Sequence, residues 1–78
     1  MESPRSIGEI LSQTRKIEEN NWENTEHLNS INIMLVSNDL AMVKDENLSK
    51  KFRQLHDKIE DVNKLTEELL SDLSSRHN

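Results

Sequence analysis

No cysteine occurs in the 78-residue chain, which excludes disulfides and thiolate metal sites and leaves the redox compartment open. Tyrosine is also absent, and tryptophan, phenylalanine, glycine and proline each occur once. Past Gly8 neither Gly nor Pro interrupts the chain, so the usual punctuation of loops is missing. Apolar runs such as Ile33 to Val36 stop at four residues, far short of a bilayer span, and Met1 is followed by charge instead of an apolar signal segment. These features lead to the expectation of a cytoplasmic protein with no membrane insertion. A basic face is lacking too. Net charge is −5, and the short cluster Lys50, Lys51 and Arg53 reads as solvated surface, so nucleic acid is not an expected partner.

The chemistry of catalysis is equally thin. There is no Gly-rich phosphate loop, no Ser/His/Asp set and no pair of base-stacking aromatics. His27, His56 and His77 share no ligand spacing, and a metal needs several ligands held together. Glu18 and Glu19, like Glu67 and Glu68, are adjacent in sequence and therefore point in different directions on a helix, whereas Glu60 and Lys64 stand at i,i+4 and can pair on its surface. A helix that borrows its core from neighbours builds no pocket. The chain is expected to be neither an enzyme nor a cofactor carrier.

What the sequence has is heptads. Leu48, Phe52, Leu55, Ile59, Val62, Thr66, Leu69 and Leu73 follow one another at alternating steps of four and three, the signature of a helix that lays one stripe against other helices. With Leu48, Leu55, Val62 and Leu69 at d, the a positions are Phe52, Ile59, Thr66 and Leu73. Leu65 and Leu70 widen the stripe at g and e, which implies more than one neighbour. An earlier track runs Ile7, Ile10, Thr14, Ile17, Asn21, Asn24, Leu28, Ile31 and Leu35, with a weak, Asn-rich middle. Each Asn there costs helix propensity and needs a partner if buried.

Helix-start signals stand at the N-terminus, where Ser3 can cap with Pro4 at the first helical position, or Ser6 with Glu9 in a capping box. The two heptad tracks are out of phase by one three-residue step near Lys44–Asn47, read either as a stammer or as a turn in which Asp45 or Asn47 caps a second helix. The expectation is all-α: a tail at 1–5, one nearly continuous helix over 6–74, roughly 100 Å long, and a tail at 75–78. Coiled-coil or bundle packing with partner chains completes it. The alternative is an αα-hairpin turning near Lys44–Asn47. At this size, with 32% apolar residues, a self-sufficient core is not expected, and self-association of the free chain is left open.

Trp22 is the least ordinary residue, lying in Asn21-Trp22-Glu23-Asn24-Thr25-Glu26-His27-Leu28. A lone Trp followed by Asn24, Glu26, Leu28, Ile31 and Leu35 at these offsets resembles the Brick family, the smallest subunit of the WAVE/SCAR regulatory complex. After a one-residue slip, Asp45, Lys51, Phe52, Leu55, Asp57, Lys58, Ile59 and Val62 resemble that family's second block, so the likeness covers about Ile17 to Leu69. Thr25 stands where the family has a basic residue, His27 where it has an aromatic, and Asn63-Lys64-Leu65-Thr66-Glu67 replaces its Arg-rich stretch. The resemblance implies a non-catalytic, cytoskeleton-associated coiled-coil scaffold that joins helices of WAVE/SCAR and Abi homologues and supports Arp2/3-dependent actin nucleation. Partner-binding residues are then expected at Trp22, Leu28, Ile31, Leu35, Leu48, Phe52, Leu55, Ile59, Val62, Leu69 and Leu73. Small helical subunits of synaptonemal-complex or lysosome-positioning assemblies share the pattern and form the alternative. A lipid-surface helix is disfavoured, because residues 1–47 carry nine acidic and four basic side chains where a membrane face wants Lys and Arg.

Overall fold

The computed structural model describes residues 4–37 and 46–77, which form two helices, α1 (Pro4–Ser37) and α2 (Glu46–His77). Pro4 opens α1, a position where its missing N–H is no loss and its fixed φ suits the helix. The proposed cap at Ser3 and half of the expected turn, Lys44 and Asp45, lie outside the described residues, whereas Ser6 lies inside α1 and Glu46 and Asn47 belong to α2, so neither Ser6 nor Asn47 precedes its helix as a cap. Glu46 stands in the first turn of α2, where a carboxylate complements the helix dipole.

The helices pack against each other along their length in a body of 55 × 16 × 13 Å. This is the arrangement of the αα-hairpin alternative. One nearly continuous helix over 6–74 is not what the described residues show. A straight helix would leave both stripes in water, whereas pairing the two buries Ile7, Leu11, Leu28, Leu35 and Leu73. Near one end, Ile7, Leu11 and Leu73 form a cluster with Leu70 packed against it.

Cross-helix partners set the register. Asn21 meets Thr66 and Thr25 meets Asn63, so the helices run antiparallel with Ile17 about level with Leu69, Asn24 with Val62, and Ile31 with Leu55. The seam of α1 is built from an inner row (Ile7, Thr14, Asn21, Leu28, Leu35) and a second row (Leu11, Glu18, Thr25, Asn32). In α2 the inner row is Phe52, Ile59, Thr66 and Leu73, and the second is Ser49, His56, Asn63 and Leu70.

Between α1 and α2, one row in each helix differs from the heptad stripe expected to meet partner helices. The inner rows are as expected. Ile10, Ile17, Asn24 and Ile31 of α1, and Leu48, Leu55, Val62 and Leu69 of α2, are turned out of the seam and exposed. More polar rows take their places, and Thr25 and Asn63 in those rows find partners there. Thr14, Thr25 and Thr66 donate their hydroxyls to the carbonyls of Ile10, Asn21 and Val62, four residues back, at 2.7 to 2.9 Å. Satisfied in this way, a hydroxyl can be buried at little cost.

Candidate helix-docking face

The two outer rows precede the second seam row by one residue in each helix. In an antiparallel pair, equivalent positions fall on the same side, so both outer rows flank one face of the hairpin. Helical spacing adds Met34 beside Ile31 and Leu65 between Val62 and Leu69. The result is a face carrying Ile10, Ile17, Ile31, Met34, Leu48, Leu55, Val62, Leu65 and Leu69, each 38 to 65% exposed. Asn24 interrupts the α1 outer row, and Arg76 ends the α2 outer row. The charged residues Lys51, Lys58 and Asp72 lie at its α2 border, and Gln13, Asn20 and His27 at its α1 border, as the heptad places them.

Of the residues expected to bind partners, the structure brings Ile31, Leu48, Leu55, Val62 and Leu69 together on this face. Leu28, Leu35 and Leu73 are buried in the seam, and Phe52 and Ile59 are half-buried there. Those five lie in the seam of the hairpin. Trp22 is on the opposite side, 67% exposed, over a groove lined by Glu18, Asn21, Thr25, Asn63 and Glu67. Ile10, Ile17, Met34 and Leu65 were not singled out as partner-binding residues. The signal for them was present: Ile10 and Ile17 belong to the first heptad track, and Leu65 widens the second.

The Trp22 side is polar. Asn21 Nδ2 donates to Thr66 Oγ1 at 3.0 Å, and Asn63 Nδ2 donates to Thr25 Oγ1 at 3.2 Å. Asn63 Oδ1 is buried and accepts no hydrogen bond within the chain. Beside them, a hydrogen bond with the Glu67 side chain raises the pKa of Glu18 above its ordinary value. Desolvation and the Glu67 charge push the same way, and Arg15 opposes them.

Further along this side, a second groove is lined by Leu28, Asn29, Asn32, Phe52, Arg53 and His56. His56 presents Nε2 to Glu60 Oε1 at 3.3 Å and Nδ1 to Asp57 Oδ1 at 3.6 Å. Glu60 thus reaches back one turn to His56, where the sequence suggested a pairing forward to Lys64. His56 also lies 6.5 Å from Phe52, ring centre to ring centre. Arg5 and Glu9 pair at 3.4 Å on the surface, a contact of small energetic weight. Among the described residues, no group of three or more His, Asp or Glu side chains is placed to hold a metal ion. No helix among them is long and apolar enough to cross a membrane.

Comparison with family models, with curated proteins and with solved structures gives no match for this chain.

Proposed function

We propose that the chain is a non-catalytic helical assembly subunit that works by docking its open apolar face against other helices. One observation carries this reading: nine large aliphatic side chains lie along a single face of a two-helix hairpin, while polar residues occupy much of its seam. Apolar patches beyond a few hundred Å² mark interaction surfaces on soluble chains. The total exposed area points the same way. At 6321 Å² it exceeds the roughly 4,900 Å² that a compact chain of this mass would expose.

The resemblance of the Trp22–Leu35 and Lys51–Val62 segments to the Brick family suggests which helices dock: those of WAVE/SCAR and Abi homologues, in an actin-regulating complex of the cytoplasm. Co-purification of the tagged full chain from native lysate, followed by mass spectrometry, tests both levels. Recovery of WAVE/SCAR and Abi homologues, lost in Leu55→Asp and kept in Lys50→Asp, is the expected result. Recovery of meiotic or lysosome-positioning subunits with the same dependence on Leu55 would keep the docking face and discard the actin assignment. Equal loss from both substitutions would discard the face itself.

A further inference from the structure

We propose that in the free protein the open apolar face is covered by a second copy of the chain, giving a four-helix bundle in which α1 of each copy stacks on α2 of the other. This rests on the docking reading above and names the occupant of the face before any other helix displaces it.

At 3.5 residues per turn, the midline between the inner and outer rows lies about 50° round each helix from the midline between the inner and second rows, which faces the neighbouring helix. Four helices packed as a square share a centre about 45° off the line joining neighbours, whereas three share one about 30° off. The apolar stripes of α1 and α2 therefore converge where the core of a four-helix bundle lies. The hairpin supplies two of the four helices, and a second hairpin supplies the other two with no further component.

Nine aliphatic residues exposed to between 38 and 65% present roughly 800 Å², on the order of each partner's share in a standard protein interface. Such a contact also completes what the hairpin lacks. Among its described residues no side chain is fully enclosed, and small helical domains commonly reach stability through association.

Charge selects the stacking. If α2 lay on α2 of the second copy, antiparallel and centred on the row from Leu48 to Leu69, Lys58 of one copy would face Lys58 of the other. Stacking α1 on α2 instead sets Lys58 level with His27 and puts the α2 border against the uncharged Gln13 and Asn20 side of α1. It also places Ile17 against Leu69, Asn24 against Val62 and Ile31 against Leu55.

Sedimentation equilibrium on the full chain over a wide concentration range is the test, with cross-linking as a second measurement. A reversible dimer of about twice 9.1 kDa is expected. Leu55→Glu should weaken it on the order of 100-fold or more, since a charge is buried at the contact, and Val36→Glu, on the other side of the hairpin, should leave it intact. The chain has no native cysteine, so Ile17→Cys and Leu69→Cys variants, mixed and oxidised, should yield a disulfide-linked pair that neither yields alone. This cross-link decides the matter even where Leu55→Glu reduces folding. A helical monomer at all concentrations overturns the second copy. If that monomer co-sediments with phosphatidylserine/phosphatidylcholine vesicles, a lipid surface is the occupant. If it does not, the docking reading stands with a different protein helix as occupant. A dimer lost in Val36→Glu but kept in Leu55→Glu overturns both this proposal and the docking reading, and a dimer without the Ile17–Leu69 cross-link overturns the stacking proposed here.

Discussion

Asn21 and Thr66, 45 positions apart in sequence, are joined across the seam by a 3.0 Å hydrogen bond from Asn21 Nδ2 to Thr66 Oγ1, and both residues are buried. Thr66 donates its own hydroxyl hydrogen bond to the Val62 carbonyl at 2.7 Å. Sliding the helices by one residue would break the cross-helix bond and leave a buried amide unsatisfied. A buried polar pair of this kind specifies register more than it adds stability.

Asn21→Ala should therefore destabilise the hairpin by about 1–3 kcal/mol, the usual cost of leaving a buried group unsatisfied or removing its bond. The joint replacement Asn21→Leu with Thr66→Val should recover most of that loss, because no polar group is left unpaired. Urea melts followed by circular dichroism provide the comparison. A double variant less stable than Asn21→Ala would count against this account.

Glu18, beside Glu67, gives stability a pH dependence. The folded chain raises the Glu18 pKa above the ordinary value of 4.5, so Glu18 contributes stability that is fully present below that value and is lost as pH rises through the raised folded pKa. Thermal melts at pH 4, 5 and 7 should show the difference between Glu18→Gln and the parent chain growing in favour of the variant as pH rises. A difference that stays constant across that range would remove the carboxylate pair as its cause.

Leu55 and Ile59 are one helical turn apart and should behave differently. Ile59 is half-buried in the seam, and a charge there should cost the hairpin several kcal/mol. Leu55 is open, and Leu55→Asp should change the isolated hairpin by about 0.5 kcal/mol or less, in the range of ordinary surface substitutions. Helicity measured in dilute samples, where association is minimal, separates the two. Equal loss in both would mean that the outer row contributes to the seam.

Helicity as a whole should fall on dilution, since helices of this kind take most of their stability from packing an apolar face. Circular dichroism at a series of concentrations reads this directly. A cooperative melt independent of concentration would show that the hairpin stands alone.

Trp22 offers a probe of the opposite side. Being exposed, its indole should emit as a hydrated ring, and Trp22→Ala should alter hairpin stability by no more than about 0.5 kcal/mol. If Trp22 anchors a partner, its emission should shift to the blue on binding and its loss should cost about 2 kcal/mol or more of affinity. Unchanged emission in a complex that buries the apolar face would confine recognition to that face and remove Trp22 from it.

The all-helical class was readable from the sequence, since three-four spacing over Leu48–Leu73 and the scarcity of Gly and Pro leave few other periodic solutions. The inner rows were readable too, because Leu28, Leu35, Ile59 and Leu73 belong to a core stripe in any helical arrangement. The side of that stripe facing the other helix was not readable. Local spacing places a residue on its own helix, whereas its neighbour depends on residues 45 positions away, as Asn21 and Thr66 show. Ser49, His56 and Asn63 carry no mark of a seam in the sequence, and only the tertiary structure gives them one, as the bond from Asn63 to Thr25 shows. Turning these polar rows inward is what leaves Leu48, Leu55, Val62 and Leu69 open. Apolar content is thus a property of the chain itself, and the face it offers is set by how the two helices meet.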